Sequence, residues 1–181
     1  ELLTINGNRW QVMVGRGHSP EHACLYCSAL NILISGDQVI PRITSNISVS
    51  GAEPEGNPLK EWFRSLEHFL EVLPADTLVL PAHNTPFYGL HERLRYLIEH
   101  HEDHLLALEE ACVEASPSAM ELLPVMFKRP LDEHNLELAL GECIAHLNYL
   151  HQRGQLARTV DESGCHRYQS VDDTLTMRLR K

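Results

Sequence analysis

Basic residues are the scarcer charge in this chain: 15 Lys and Arg stand against 25 Asp and Glu, for a formal net charge of −10. Gripping a phosphate backbone takes clustered Lys and Arg that displace counterions, so this balance opposes generic binding to nucleic acid. No apolar stretch approaches the roughly 20 residues that span a bilayer, and the opening residues do not read as a basic and apolar leader. The five cysteines, Cys24, Cys27, Cys112, Cys143 and Cys165, are an odd and scattered set, which does not suggest a disulfide framework. Cys24-Leu25-Tyr26-Cys27 has the spacing of a zinc pair but no second pair to complete it, and strand residues three apart face opposite ways. Reduced thiols and the absence of a membrane segment point to a cytoplasmic protein. Internal repeats and low-complexity segments are also missing.

What remains is the composition of a folded chain: 43% hydrophobic residues over 181 positions, enough for a core and for one domain or two small ones. Residues 2–14 read as a hairpin turning at Asn6-Gly7, a favoured two-residue turn. Two short apolar strands follow at 23–26 and 30–34. Asn57-Pro58 opens a helix, with Asn as cap and Pro in the first helical position. Leu59, Trp62, Phe63, Leu66, Phe69, Leu70 and Leu73 keep helical spacing until Pro74, and residues 77–80 form a further apolar strand. Strand, helix, strand is an α/β pattern.

From Leu90 the pattern turns helical. One long helix reaches about Ala115 and is broken by Ser116-Pro117-Ser118. Ser118 with Glu121 offers a capping box, and Pro124 limits the helix it starts to a couple of turns. A stripe from Leu136 to Leu150 marks another helix that stops at Gly154, and 156–160 with 165–171 read as a closing hairpin. Helix, helix, hairpin is a winged-helix order. The expected division is therefore 1–115 and 116–181.

Three short segments carry the chemistry: Gly17-His18-Ser19-Pro20-Glu21-His22, Ser35-Gly36-Asp37 and Leu80-Pro81-Ala82-His83-Asn84. Each places a His or Asp at the end of an apolar run, where loops can bring distant strands to one point. Singly, a histidine in such a loop is ordinarily solvated and Gly-Asp is a common turn dipeptide. In order, they resemble the second half of the metallo-β-lactamase fold family, with its Gly-His-Ser/Thr-x-x-His loop, its Gly-Asp and its Pro-x-His. The tail from Ala145 to Leu156, with Tyr168, is similar to the small C-terminal domain carried by one large group of these hydrolases, of glyoxalase II type. The fold implied is the C-terminal half of an αββα sandwich followed by a helical, winged-helix-like domain.

The resemblance implies that His18 holds a first metal, Asp37 bridges two, and His83 holds the second, with His22 in support of these ligands. The two divalent ions would be zinc, with iron or manganese suiting the same ligands. A hydroxide held between them would attack an ester, thioester or lactone of a small-molecule substrate, with Asp37 as its orienting catalytic group. Two departures are visible: Ala82 and Asn84 flank His83 where the family usually has Gly, and Glu21 adds negative charge. Larger still, the His-x-His-x-Asp-His motif that supplies the family's other ligands is absent. His100-His101-Glu102-Asp103-His104 has the wrong spacing and lies in a helical stretch.

With Glu1-Leu2-Leu3-Thr4-Ile5 already strand-like, the expectation is a truncated chain, silent by itself, poorly metallated and prone to self-association. His100 and His101 could meet a substrate, whereas His104, His134, His146 and His151 read as ordinary structural residues. The alternative functions are a nucleic-acid-processing or nucleic-acid-binding protein of the same fold and a non-catalytic interaction domain. Glu137 and Glu142 on the helix that would enter DNA argue against the first.

Overall fold

The computed structural model describes residues 1–172, which form two compact units: 1–47 with 60–99, and 48–59 with the residues from His100 onward. The architecture is mixed α/β.

The first unit is built on a five-stranded sheet in the order β1-β2-β3-β4-β5, from β1 (Leu2–Ile5), β2 (Asn8–Gly15), β3 (His22–Cys27), β4 (Ile32–Gly36) and β5 (Leu78–Pro81). The first four strands run antiparallel to their neighbours, and β5 pairs parallel to β4. Asn6 (φ 48°) and Gly7 (φ 77°) both take the left-handed conformation of a type I′ turn, which suits the twist of the β1–β2 hairpin. The parallel partner requires a crossover, supplied by α1 (Pro58–Val72), which buries Trp62, Phe63, Leu66 and Phe69. β4 starts two residues later than the sequence suggests. Asn31 adopts a φ of 51° and its N–H bonds the Ser28 carbonyl, so Leu30 falls in the turn and is exposed.

α2 (Leu90–Ala111) contributes its first ten residues to this unit, with Leu90, Leu94 and Leu97 buried. There Arg93 donates through Nε to the Ile40 carbonyl and through a terminal nitrogen to that of Ile43, both at 2.6 Å. These bonds fasten the loop after β4, which matters for the site below. The helix ends before the expected Ala115, because Cys112 and Val113 make tighter bonds to Glu109 and Glu110 that close its last turn.

The second unit holds the rest of α2, α3 (Ala119–Met126), α4 (Glu133–Gln152) and a hairpin of β6 (Leu156–Val160) with β7 (His166–Ser170). Ser118 and Glu121 form the full capping box at the start of α3. α4 begins three residues earlier than its apolar stripe, because the Asp132 carboxylate accepts from the Asn135 N–H at 2.8 Å and caps the helix there. It closes in a Schellman motif: Gly154, at φ 75°, bonds the His151 carbonyl, and Gln155 bonds that of Leu150. Leu122, Leu123, Cys143, Leu147, Leu150, Leu156 and Tyr168 are buried in this unit. All five cysteines are free, and burial pushes the Cys24 and Cys143 thiols up to about 12, so these buried cysteines are inert packing groups. No helix among the described residues is long and apolar enough to cross a membrane.

Candidate metal centre

The three segments singled out in the sequence meet at the C-terminal ends of β4 and β5 and in the loop joining β2 to β3. Gly36 ends β4 at a register shift in its pairing with β5, with φ 55°. That conformation turns the chain at the end of β4, just before Asp37. The backbone N–H of Asp37 then donates to Nε2 of His22 at 3.1 Å. His22 lies so close over Gly36 that any Cβ there would overlap its Nε2. Gly36 is thus required twice, for the left-handed backbone and for the imidazole above it. Ser45 also donates its hydroxyl to the Asp37 carbonyl, so the residue is held from both sides.

Two imidazoles address the Asp37 carboxylate, one on each oxygen. His83, just beyond β5, has Nε2 3.3 Å from Oδ1, and His18 has Nε2 4.0 Å from Oδ2. His18 is aimed by its other nitrogen: Nδ1 lies 2.9 Å from the Asn46 carbonyl oxygen. A carbonyl only accepts, so Nδ1 carries a proton and Nε2 is the nitrogen turned toward Asp37. Asn46 belongs to the loop that Arg93 fastens. His83 is placed by the bond from the Ala82 N–H to the Gly36 carbonyl at 3.0 Å and by Asn84, which takes a φ of 69°. Asn occupies the left-handed region more readily than other non-glycine residues, so the departure at position 84 leaves this turn intact.

His22 differs from the other two histidines. Its Nε2 lone pair is spent on the Asp37 backbone, so it orients Asp37 and offers no electron pair there for an ion. Glu21 points elsewhere, pairing with Arg16 at 2.9 Å on the exposed side of the loop. The arrangement fits a divalent cation. Asp37 Oδ1 is a buried carboxylate oxygen that makes no hydrogen bond, although His83 Nε2 lies at ion-pair distance from it. Two donors on one tetrahedral zinc, at bonds of about 2.0–2.2 Å, sit about 3.4 Å apart. The Asp37–His83 separation of 3.3 Å meets that spacing, and His18 Nε2, at 4.0 Å from Oδ2, would have to close by about half an ångström. Side-chain exposures of 30% for His18 and Asp37 and 61% for His83 leave the centre open to a ligand.

His100, His101 and His104 of α2 belong to the second unit. His101 is completely buried, with Nδ1 3.0 Å from Nε2 of His146 on α4, and a nitrogen of His104 joins the same group. His104 and His146 read in the sequence as structural residues only. The i, i+3 spacing of His101 and His104 on one helix face was the available signal, but nothing in the sequence pairs that face with His146.

A sequence profile for the metallo-beta-lactamase superfamily matches residues 1–83, and one for the metallo-beta-lactamase-like C-terminal domain matches residues 105–171. Among solved structures the chain is similar to a beta-lactamase domain protein from Burkholderia ambifaria, at 43% identity and a TM-score of 0.91, over 94% of this chain and 50% of that one. It is also similar to a metallo-beta-lactamase family protein from Thermus thermophilus, at 28% identity and a TM-score of 0.80, over 94% of this chain and 52% of the other. The chain thus spans about half the length of both.

Proposed function

The chain belongs to the metallo-beta-lactamase superfamily, and from that premise we propose that His18, Asp37 and His83 are its share of a two-metal hydrolytic centre. The whole protein would cleave an ester, thioester or lactone of a small molecule. The observation that carries this reading is the single carboxylate of Asp37 with one imidazole directed at each of its oxygens. When bound, divalent ions, zinc foremost, supply the Lewis acidity that activates water toward a carbonyl carbon. Asp37 would hold the spacing between the two positions. His18 is already in the tautomer that presents Nε2, and His22 fixes the backbone from which Asp37 projects.

The test is Asp37→Ala in the whole protein. Bound metal and hydrolysis should fall together, whereas metal content that survives unchanged would refute the assignment.

Within the same reading, α3, α4 and the β6–β7 hairpin are a winged-helix-like domain that does not grip nucleic acid. The support is the element order, with Glu133 and Glu137 exposed on the helix that would enter a groove, while Glu142 is buried. The chain would also associate with itself along β1, an edge strand exposing Leu2, Leu3 and Ile5. Light scattering on Leu3→Lys should show a smaller species than the unsubstituted chain, and an identical mass would count against that edge.

A further inference from the structure

We propose that His101, His104 and His146 form a second metal site, which takes one zinc-class transition ion through three imidazole nitrogens. Each of the three residues offers one ligand atom, and these atoms all lie within 4.8 Å of one another. They are the group of His, Cys, Asp or Glu among the described residues that closes to this distance. His101 and His104 stand one turn apart on α2, and His146 faces them from α4, so two helices of one unit clamp the position. No residue is shared with the centre around Asp37, and the inference does not depend on the hydrolytic reading.

The tautomers suit a ligand set. His146 Nδ1 lies 2.8 Å from the Glu142 carbonyl, one helical turn back, and must donate to it. Its Nε2 lone pair therefore points inward, toward His101 Nδ1 at 3.0 Å. Two nitrogens on one tetrahedral zinc, at bond lengths of about 2.0–2.1 Å, sit about 3.3 Å apart, close to the separation found. Held by a carbonyl on its outer nitrogen, His146 has the backing that metal-bound histidines use to fix ring orientation.

A bare hydrogen bond between His101 and His146 explains two of the rings but not the third. His104 Nδ1 is buried and makes no hydrogen bond, and a buried polar atom without a partner costs about 1–3 kcal/mol. Its ring packs 4.4 Å from that of His100 and 5.9 Å from that of His146. An ion among the three nitrogens relieves this cost when Nδ1 is the His104 atom turned into the group. Burial, reinforced by the charge each imidazolium would feel from the next, holds His104 down at about 4 and His146 at about 3. All three rings are then neutral at physiological pH, the state in which a lone pair is available to a metal. Imidazole nitrogens and no carboxylate select zinc, nickel, cobalt or copper over magnesium or calcium.

The experiment uses the 181-residue chain carrying Asp37→Ala and His83→Ala, so that the first centre contributes nothing. After chelator treatment and dialysis against zinc, elemental analysis should find about one ion per chain. Substituting cobalt should give the visible absorption of nitrogen-ligated tetrahedral Co²⁺, and added zinc should raise Tm. Adding His104→Leu, which keeps an apolar volume in that place, should abolish all three signals while far-UV circular dichroism stays unchanged. His104→Gln serves if the leucine form fails to fold. Zinc at background level in the doubly substituted chain overturns the proposal. So does a folded His104→Leu or His104→Gln form that retains its ion.

Discussion

Replacing Gly36 by alanine tests the link between local backbone and the geometry of the centre. Two costs arise at this position. At φ 55° an alanine is strained by about 1–2 kcal/mol. Its Cβ would also overlap His22 Nε2, so the imidazole must leave and the Asp37 N–H loses its acceptor. A partly buried donor left unpaired adds about 1–3 kcal/mol, for a total of about 2–5 kcal/mol. The two costs separate in a double-mutant cycle, because in a His22→Ala background only the backbone strain remains. Coupling between the sites should thus be about 1–3 kcal/mol. Both tryptophans, Trp10 and Trp62, lie in the first unit, so urea denaturation followed by their fluorescence reports on the unit in question. The reasoning fails if Gly36→Ala costs under about 1 kcal/mol, or costs the same with and without His22.

Loss of His22 alone should weaken metal binding at the centre by about 10–100-fold while the fold persists, as for other residues that orient a ligand; titration calorimetry giving an unchanged affinity would remove His22 from that role. In the metal-stripped chain, folded-state values of about 4 for His104 and about 3 for His146 lie below the ordinary 6.5, so the unfolded chain binds more protons between these limits. Stability should be fully present above pH 6.5 and fall as pH drops through that window, by up to about 1.4 kcal/mol per pH unit for the fully buried His146 and by less for the half-buried His104. A urea midpoint that stays flat from about pH 7 down to about pH 4.5 would contradict this burial. Ser118→Ala removes the capping box of α3 and should cost the second unit about 1 kcal/mol by far-UV circular dichroism, with a change under a few tenths counting against it. Fluorescence anisotropy with duplex DNA at physiological salt should give no binding tighter than about 10⁻⁶ M, and sub-micromolar affinity would refute the acidic-helix argument.

The features legible from sequence are those decided within a few residues. The Asn6-Gly7 turn, the Asn57-Pro58 start of α1 and the stop at Gly154 follow from backbone preferences of the residues themselves, and the Ser118–Glu121 capping box from side chains that reach backbone only three residues away. Element ends depart from the apolar pattern where a polar residue sets them. Asp132 starts α4 ahead of its stripe, and Asn31 converts Leu30 from strand to turn. For the centre, the sequence offers His18, Asp37 and His83 through their resemblance to family motifs, each after an apolar run, and the structure brings the three side chains together. Only the tertiary structure decided the rest. It chose the nitrogen that His18 turns toward Asp37, gave His22 to the Asp37 backbone, and brought His146 to His101 and His104. Those contacts join residues between 15 and 45 positions apart in sequence. Their geometry is fixed by how sheets and helices pack, a sum of many weak contacts that leaves no local mark in the residues it brings together.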